Sequence, residues 1–344
     1  MPMTGGERQQ SDQRAPMRVV FFGTPDFATP TLEALAADAQ FDVRLVATQP
    51  DRPAGRGRKI ERSPVARAAE RLGLPLYQPA SLKTEEARAP LAAADADVFV
   101  VAAFGLIFGR RTLALPRRGC VNVHGSLLPN YRGASPVAAA ILRGDRESGV
   151  TLMAMEPGLD VGPAIATVRV PIAPDDTTAT LMVRLANAGA RLTREKLPAF
   201  LRGEIAPTPQ PAAGASLTRP LTKADGWLDF TQPAAELERQ VRAMWPWPRA
   251  WTTLGDEPLQ IHAAAVVAAD ADAAALAPGA MIVRDGQLLA ATGDGWLRLD
   301  LLQPAGGRPM RGAAFAAGHG LDGVRLGQAG APLALPPIVT PLAG

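Results

Sequence analysis

The chain has 344 residues, 47% of them apolar, with a net charge of +3 and a single cysteine. That length favours two domains over one, and the small net charge sets up no global field that would demand a polyanionic partner. One cysteine excludes an intrachain disulfide and a cysteine-built zinc site, as expected of a protein in the reducing cytoplasm, and no apolar run approaches the roughly 20 residues of a membrane helix.

The first sixteen residues are polar, lack the apolar stretch of a secretory signal and are expected to form a disordered tail. Met17 to Phe22 reads as a buried strand, closed by Gly23-Thr24-Pro25-Asp26-Phe27, with Pro25 placed to open a helix to about Ala37. A strand followed by a helix is a Rossmann-like start. Gly23 has no second and third glycine at the dinucleotide spacing, so NAD binding is not expected. After a second strand, Phe41 to Thr48, comes a Gly/Pro loop carrying Arg52, Arg56, Arg58 and Lys59. Two readings fit it: a solvated surface loop, or a finger that contacts phosphates.

Ser63-Pro64 has the residues of a helix N-cap and first turn. Leu76 to Gln78 is a short strand, and Glu85 to Ala94 a helix that Pro90 should kink or shorten. Val98 to Phe104 is continuously apolar, as in the middle of a parallel sheet, and ends at Phe104-Gly105. The next strand, opening at Gly119-Cys120, carries Asn122 and His124 two residues apart and therefore on one face. Gly125 and Pro129 then break it into a loop. Cys120 is expected to be a small buried hydrophobe. Val150 to Met155 leads to Asp160, presented between Gly158 and Gly162. Strands and helices alternate through a long helix from Thr178 to about Leu201, which indicates α/β architecture. Pro207, Pro209, Pro211 and Gly214 mark a semi-rigid linker. Beyond it, short strands alternate with turns such as Arg284-Asp285-Gly286, as in a small β-barrel. Trp245 and Trp247, interleaved with prolines, are expected to pack the junction leading into the barrel.

A strand end carrying Asn122 and His124 can be an ordinary polar terminus. It can also be a site, since ligands of open α/β sheets lie at strand carboxyl ends. Asn donates a side-chain N–H and His handles protons near neutrality. With Asp160 as charge partner, the set could stabilise a tetrahedral oxyanion and relay a proton from an attacking amine. No serine or cysteine stands in a nucleophile motif such as G-x-S-x-G, which points to direct acyl transfer without a covalent enzyme intermediate. His262 and His319 have no motif around them and are expected to be structural or exposed.

Asn122-x-His124-x-Ser126-Leu127-Leu128-Pro129-x-x-x-Gly133, followed by Gly158-Leu159-Asp160-x-Gly162, resembles the signature of the folate-dependent formyltransferases. The resemblance extends along nearly all the chain after Met17. It implies an α/β, Rossmann-like formyltransferase domain over residues 17–206, a linker over 207–219, and an OB-like, tRNA-binding β-barrel over 220–340. It further implies 10-formyltetrahydrofolate as donor, the methionyl amine of initiator tRNA as acceptor, no metal, no membrane, and a monomer. Asn122, His124 and Asp160 match the family's catalytic residues. Ser126, Leu127, Leu128 and Pro129 match its folate-contacting turn, and Phe104, Gly105, Leu106 and Ile107 the segment beside the pterin. Phe104 stands where a tyrosine is common. Arg56 matches a tRNA-contacting arginine, with Arg52, Arg58 and Lys59 beside it in the loop. Arg308, in Gly306-Gly307-Arg308, occupies a barrel position where the family often has adjacent lysines.

Overall fold

The computed structural model describes residues 15–54, 59–321 and 324–342. Most of the expected tail, 1–16, lies outside the described residues, as do Arg56 and Arg58. The chain divides into two compact units, residues 1–121 with 194–205, and residues 122–193 with 206–344.

The first unit runs β1 (Met17–Gly23), α1 (Thr29–Ala36), β2 (Phe41–Ala47), β3 (Arg52–Ala54), β4 (Lys59–Glu61), α2 (Pro64–Arg71), β5 (Leu76–Tyr77), α3 (Glu85–Ala93), β6 (Val98–Ala102) and α4 (Arg110–Leu113). It ends within β7 (Cys120–His124). Its strand order is β7-β6-β1-β2-β5, and β1 pairs in parallel with both β2 and β6. All of β6 and the last five residues of β1 are buried, which is why both read as apolar runs without alternation. Chain order reverses between β1 and β6, so the carboxyl ends of these two strands flank a topological switch point. Ser63 caps α2 as expected, its hydroxyl accepting from Ala66 N at 3.0 Å. Pro25 instead precedes a 3₁₀ turn, Asp26–Ala28, and α1 starts at Thr29 with Pro30 in its first turn. Pro90 lies inside α3 without ending it. Cys120 is buried, and that burial pushes its thiol up to about 12.

The second unit continues from β7 through β8 (Arg132–Gly133), α5 (Pro136–Arg143), β9 (Glu147–Ala154), β10 (Ala164–Pro171) and the first part of α6 (Thr178–Leu201). Here the strand order is β10-β9-β7, with β9 and β10 antiparallel. A Cβ on Gly189 of α6 would come within 2.9 Å of Val123 Cγ1. The helix thus packs directly on the face of β7 that Val123 presents, and Asn122 and His124 point to the other face.

After α6 come β11 (Ser216–Thr218), α7 (Ala234–Ala243), β12 (Ala250–Leu254), β13 (Glu257–Val267), α8 (Ala271–Ala275), β14 (Met281–Arg284), β15 (Gln287–Ala291), β16 (Trp296–Pro304), β17 (Met310–Arg311), α9 (Gly312–Gly318) and β18 (Val339–Pro341). Strands β12 to β16 form an antiparallel sheet in the order β12-β13-β16-β15-β14, with β17 against β16. Bridges from Leu326 to Leu254 and from Arg325 to Ala280 draw its two ends together into the expected small barrel. Its core is apolar, with Leu228, Phe230, Ile261, Leu288, Leu299 and Phe315 buried together.

The segment read as a linker is tied into a sheet of its own. Leu217 and Thr218 of β11 pair in parallel with Arg132 and Gly133 of β8, and β18 pairs antiparallel with β11. Its prolines suggest an extended spacer, but the alternating Ser216 and Thr218 side chains that follow anchor it by hydrogen bonds. Among the described residues no helix is long and apolar enough to cross a membrane.

Candidate active site

Asn122 and His124 stand at the carboxyl end of β7, where Gly125 ends the strand. Asp160 approaches from the loop between β9 and β10. That loop closes tightly because a Cβ on Gly162 would fall 1.8 Å from the Ala154 carbonyl, a contact only glycine permits. Asp160 itself has a left-handed backbone, φ 53°. Its Oδ1 accepts from Asn122 Nδ2 at 3.2 Å, and its Oδ2 accepts from the backbone N–H of Gly133 at 2.9 Å. His124 is buried, with Nδ1 3.6 Å from Asp160 Oδ2. The structure therefore brings together the three residues that the sequence picked out from separate segments.

The other imidazole nitrogen, Nε2, lies 2.9 Å from the carbonyl of Tyr131. A carbonyl can only accept, so Nε2 carries the hydrogen and Nδ1 is the nitrogen turned toward Asp160. Tyr131 is held at three points. Its N–H donates to Ser216 Oγ at 2.9 Å, its hydroxyl donates to Asp145 Oδ2 at 2.7 Å, and its carbonyl takes His124. Burial, followed by the Asp145 hydrogen bond, pushes the Tyr131 phenol well above its ordinary value, so its hydroxyl remains a donor. Tyr131 is also left-handed at φ 58°.

Gln210 completes the surroundings. Its Nε2 donates to the carbonyls of Asp160 at 2.8 Å and Gly162 at 2.7 Å. Its Oε1 accepts from Arg132 Nη2 at 2.8 Å and Nε at 3.1 Å. Thr218 Oγ1 donates to the Arg132 carbonyl and accepts from Ser135 N. Neither Tyr131 nor Gln210 belonged to a chemistry-bearing pattern in the sequence. The one available signal for Gln210 was a lone amide among the prolines of a supposed spacer.

The turn after β7 is closed upon itself. The buried Ser126 hydroxyl donates to the Asn130 carbonyl at 2.6 Å, and Leu128 N donates to Thr151 Oγ1 at 3.1 Å. Ser126 thus shapes the turn, and Leu127, Leu128 and Pro129 form its half-buried surface. In the first unit, the strand ends at the switch point are joined by hydrogen bonds: Gln49 Nε2 and Thr24 Oγ1 both donate to the Phe104 carbonyl, at 2.8 and 3.1 Å. The Phe104 ring is buried against Phe22 and Phe108. Its ring is therefore a core element, and what residues 104–107 offer outward is backbone and the Ile107 side chain, 91% exposed. Leu106 is half-buried beside the exposed Gly105.

Of the cationic residues, Arg52 is exposed at the start of β3 and Lys59 begins β4. Arg308 is exposed between β16 and β17. The two tryptophans separate: Trp245 is half-buried, with Arg249 over its ring, whereas Trp247 is 57% exposed and does not pack the junction as expected. His262 and His319 lie away from Asn122, His124 and Asp160 in sequence and bond elsewhere, His262 to Gln260 and His319 to the Phe315 carbonyl. Among the described residues no group of three or more His, Cys, Asp or Glu could hold a metal ion.

Residues 17–197 match the formyl transferase family, and residues 220–320 match the formyl transferase C-terminal domain. The methionyl-tRNA formyltransferase of Roseiflexus sp. (strain RS-1) is 49% identical over 320 residues, covering 92% of this chain and 98% of that protein. That of Myxococcus xanthus (strain DK1622) is 47% identical over 306 residues, covering 88% and 96%. Among solved structures, the sugar 3N-formyl transferase WlaRD superposes with a TM-score of 0.61 at 16% identity, covering 85% of this chain and 98% of that one, a likeness of fold. The chain belongs to the formyl transferase family, an α/β domain with a parallel sheet followed by an antiparallel β domain. Within that family it groups with the methionyl-tRNA formyltransferases, and it is an enzyme of that class.

Proposed function

We propose that this enzyme transfers the formyl group of 10-formyltetrahydrofolate to the free amino group of methionine on initiator tRNA, supplying N-formylmethionyl-tRNA for translation initiation. What carries this reading is identity of nearly one half, along almost the full chain, to proteins named methionyl-tRNA formyltransferase. In this reading residues 17–206 form the catalytic domain, 207–219 the linker and 220–340 the tRNA-binding barrel.

The chemistry proposed for the site is direct. The methionyl amine attacks the formyl carbon, and a tetrahedral intermediate forms with its charge on the former carbonyl oxygen. Asn122 has one N–H committed to Asp160 and a second to offer that oxyanion. His124 keeps Nε2–H on the Tyr131 carbonyl, so only Nδ1, when protonated, can donate to the oxyanion; Asp160 supplies the compensating charge 3.6 Å away. Asp160 accepts the proton lost by the attacking nitrogen. The intermediate then collapses, the carbon–N10 bond breaks, and the folate nitrogen takes as it leaves the proton that Asp160 received, which restores the carboxylate. Residues 126–129 and 104–107 are proposed to line the folate, the latter through backbone at the β1/β6 switch point. Arg52, Arg56, Arg58, Lys59 and Arg308 are proposed to meet the tRNA backbone.

The test offers purified enzyme and 10-formyltetrahydrofolate three kinds of acceptor: charged initiator tRNA, free amino acids and amino-sugar nucleotides. The expected result is formylation of the charged tRNA. Transfer confined to a small amine, or release of tetrahydrofolate without an acceptor, would overturn the reading.

A further inference from the structure

We infer that Gln210, from the segment between the two matched domains, is a positioning residue for the Asp160 carboxylate, and that Arg132 orients it. This deepens the functional reading above and rests on it. Gln210 satisfies all of its amide groups between two segments: its two N–H donors reach the carbonyls of Asp160 and Gly162 in one loop, and its oxygen takes two bonds from the Arg132 guanidinium of β8. Because Arg is a donor only, its fork fixes which end of the amide faces the Asp160 loop.

Two features make this clamp matter. Asp160 holds a left-handed backbone, which is strained for a non-glycine residue and persists only when the surroundings over-determine it. The Gln210 bond falls on the carbonyl of Asp160 itself, where it fixes the peptide that follows the strained residue. Second, Arg132 immediately precedes Gly133, whose N–H holds Asp160 Oδ2. One side chain thus braces the Asp160 carboxylate from its own backbone and, through Arg132, from the segment that supplies its hydrogen-bond donor.

Displacing a reacting group by about 1 Å can cost about a hundredfold in rate. Gln210→Leu, which keeps volume and removes every hydrogen bond, is expected to lower kcat about 10- to 100-fold while both KM values stay within about threefold. A residue that merely supports the fold would add its loss to any other. A residue acting through Asp160 would not, so in an Asp160→Asn background Gln210→Leu should change kcat by less than about twofold. Should Gln210→Leu fail to fold by circular dichroism, Arg132→Met takes its place in the same cycle, since it leaves the amide present but unoriented. Wild-type kcat in the single variant, or the full loss repeated in the Asp160→Asn background, would overturn the inference. A wild-type enzyme that does not formylate methionyl-tRNA would overturn the functional reading instead.

Discussion

The nitrogen of His124 that faces away from Asp160 is 2.9 Å from the carbonyl of Tyr131, a residue whose own N–H and hydroxyl are both engaged. The imidazole therefore has one nitrogen tied to a fixed acceptor and one toward the carboxylate. Second partners of this kind hold a histidine's ring orientation and tautomer. In its neutral form His124 should be the Nε2–H tautomer, which nitrogen-15 shifts of the labelled imidazole would show directly. An Nδ1–H tautomer would mean that the Tyr131 contact is absent in solution, and Nδ1 would no longer be the one nitrogen left to donate to the oxyanion.

Asp160→Asn should lower kcat by about two to four orders of magnitude, the range typical of lost acid–base catalysis. The amide can accept through one oxygen only, so either Gly133 N–H or Asn122 loses its acceptor, at about 1–3 kcal/mol. The protein should stay folded but melt at a lower temperature. Turnover under saturating substrates and a thermal melt measure the two effects separately. A variant that keeps most of its kcat would assign the proton transfer to another group.

The residues around this site differ in how visible they were in the sequence. His124 shares a strand face with Asn122, and Asp160 stands between two glycines, so the local pattern of the chain marked both. Tyr131 acts on His124 through its backbone carbonyl, which every residue type carries, and Gln210 through a long-range contact with a loop fifty residues earlier. Periodicity and turn chemistry carry no information at that separation, and Pro207, Pro209 and Pro211 made the segment read as a semi-rigid linker. The same limit applies to Phe104, whose ring reads equally well as a ligand contact or as part of the Phe22 and Phe108 cluster.

In the barrel, acid stability should depend on Asp270. The N–H of Ala273 and then the indole N–H of Trp296 hold its carboxyl down to about 2, with Arg284 adding to the effect. A carboxyl lies near 3.9 in an unfolded chain. With the folded value depressed, the stabilisation is complete above about pH 4 and is lost progressively as pH falls toward and through about 2. Asp270→Asn should flatten that part of the stability curve between about pH 4 and 2. Denaturant midpoints at a series of pH values would reveal it, and parallel curves for the two proteins would reject the assignment.

The last prediction concerns Arg56, in the cationic segment between β3 and β4. Arg52 and Lys59 begin the two strands of this antiparallel ladder, and Arg56 and Arg58 belong to the stretch that joins them. Its sequence is rich in cations and poor in apolar side chains, the composition behind the proposal that it meets a phosphate backbone. Arg56→Ala should lower kcat/KM for methionyl-tRNA by more than about tenfold, or about 1.4 kcal/mol in transition-state terms, with folate affinity nearly unchanged. Because counterions are released when phosphates are neutralised, the deficit should shrink as salt rises and the wild-type contact weakens. Arg56→Lys distinguishes two forms of the contact: a bidentate phosphate pair would be restored only in part, a point-charge contact nearly in full. Measuring kcat/KM for tRNA and folate affinity in both variants at two salt concentrations decides among them. A variant unimpaired on tRNA would return this segment to an ordinary solvated loop.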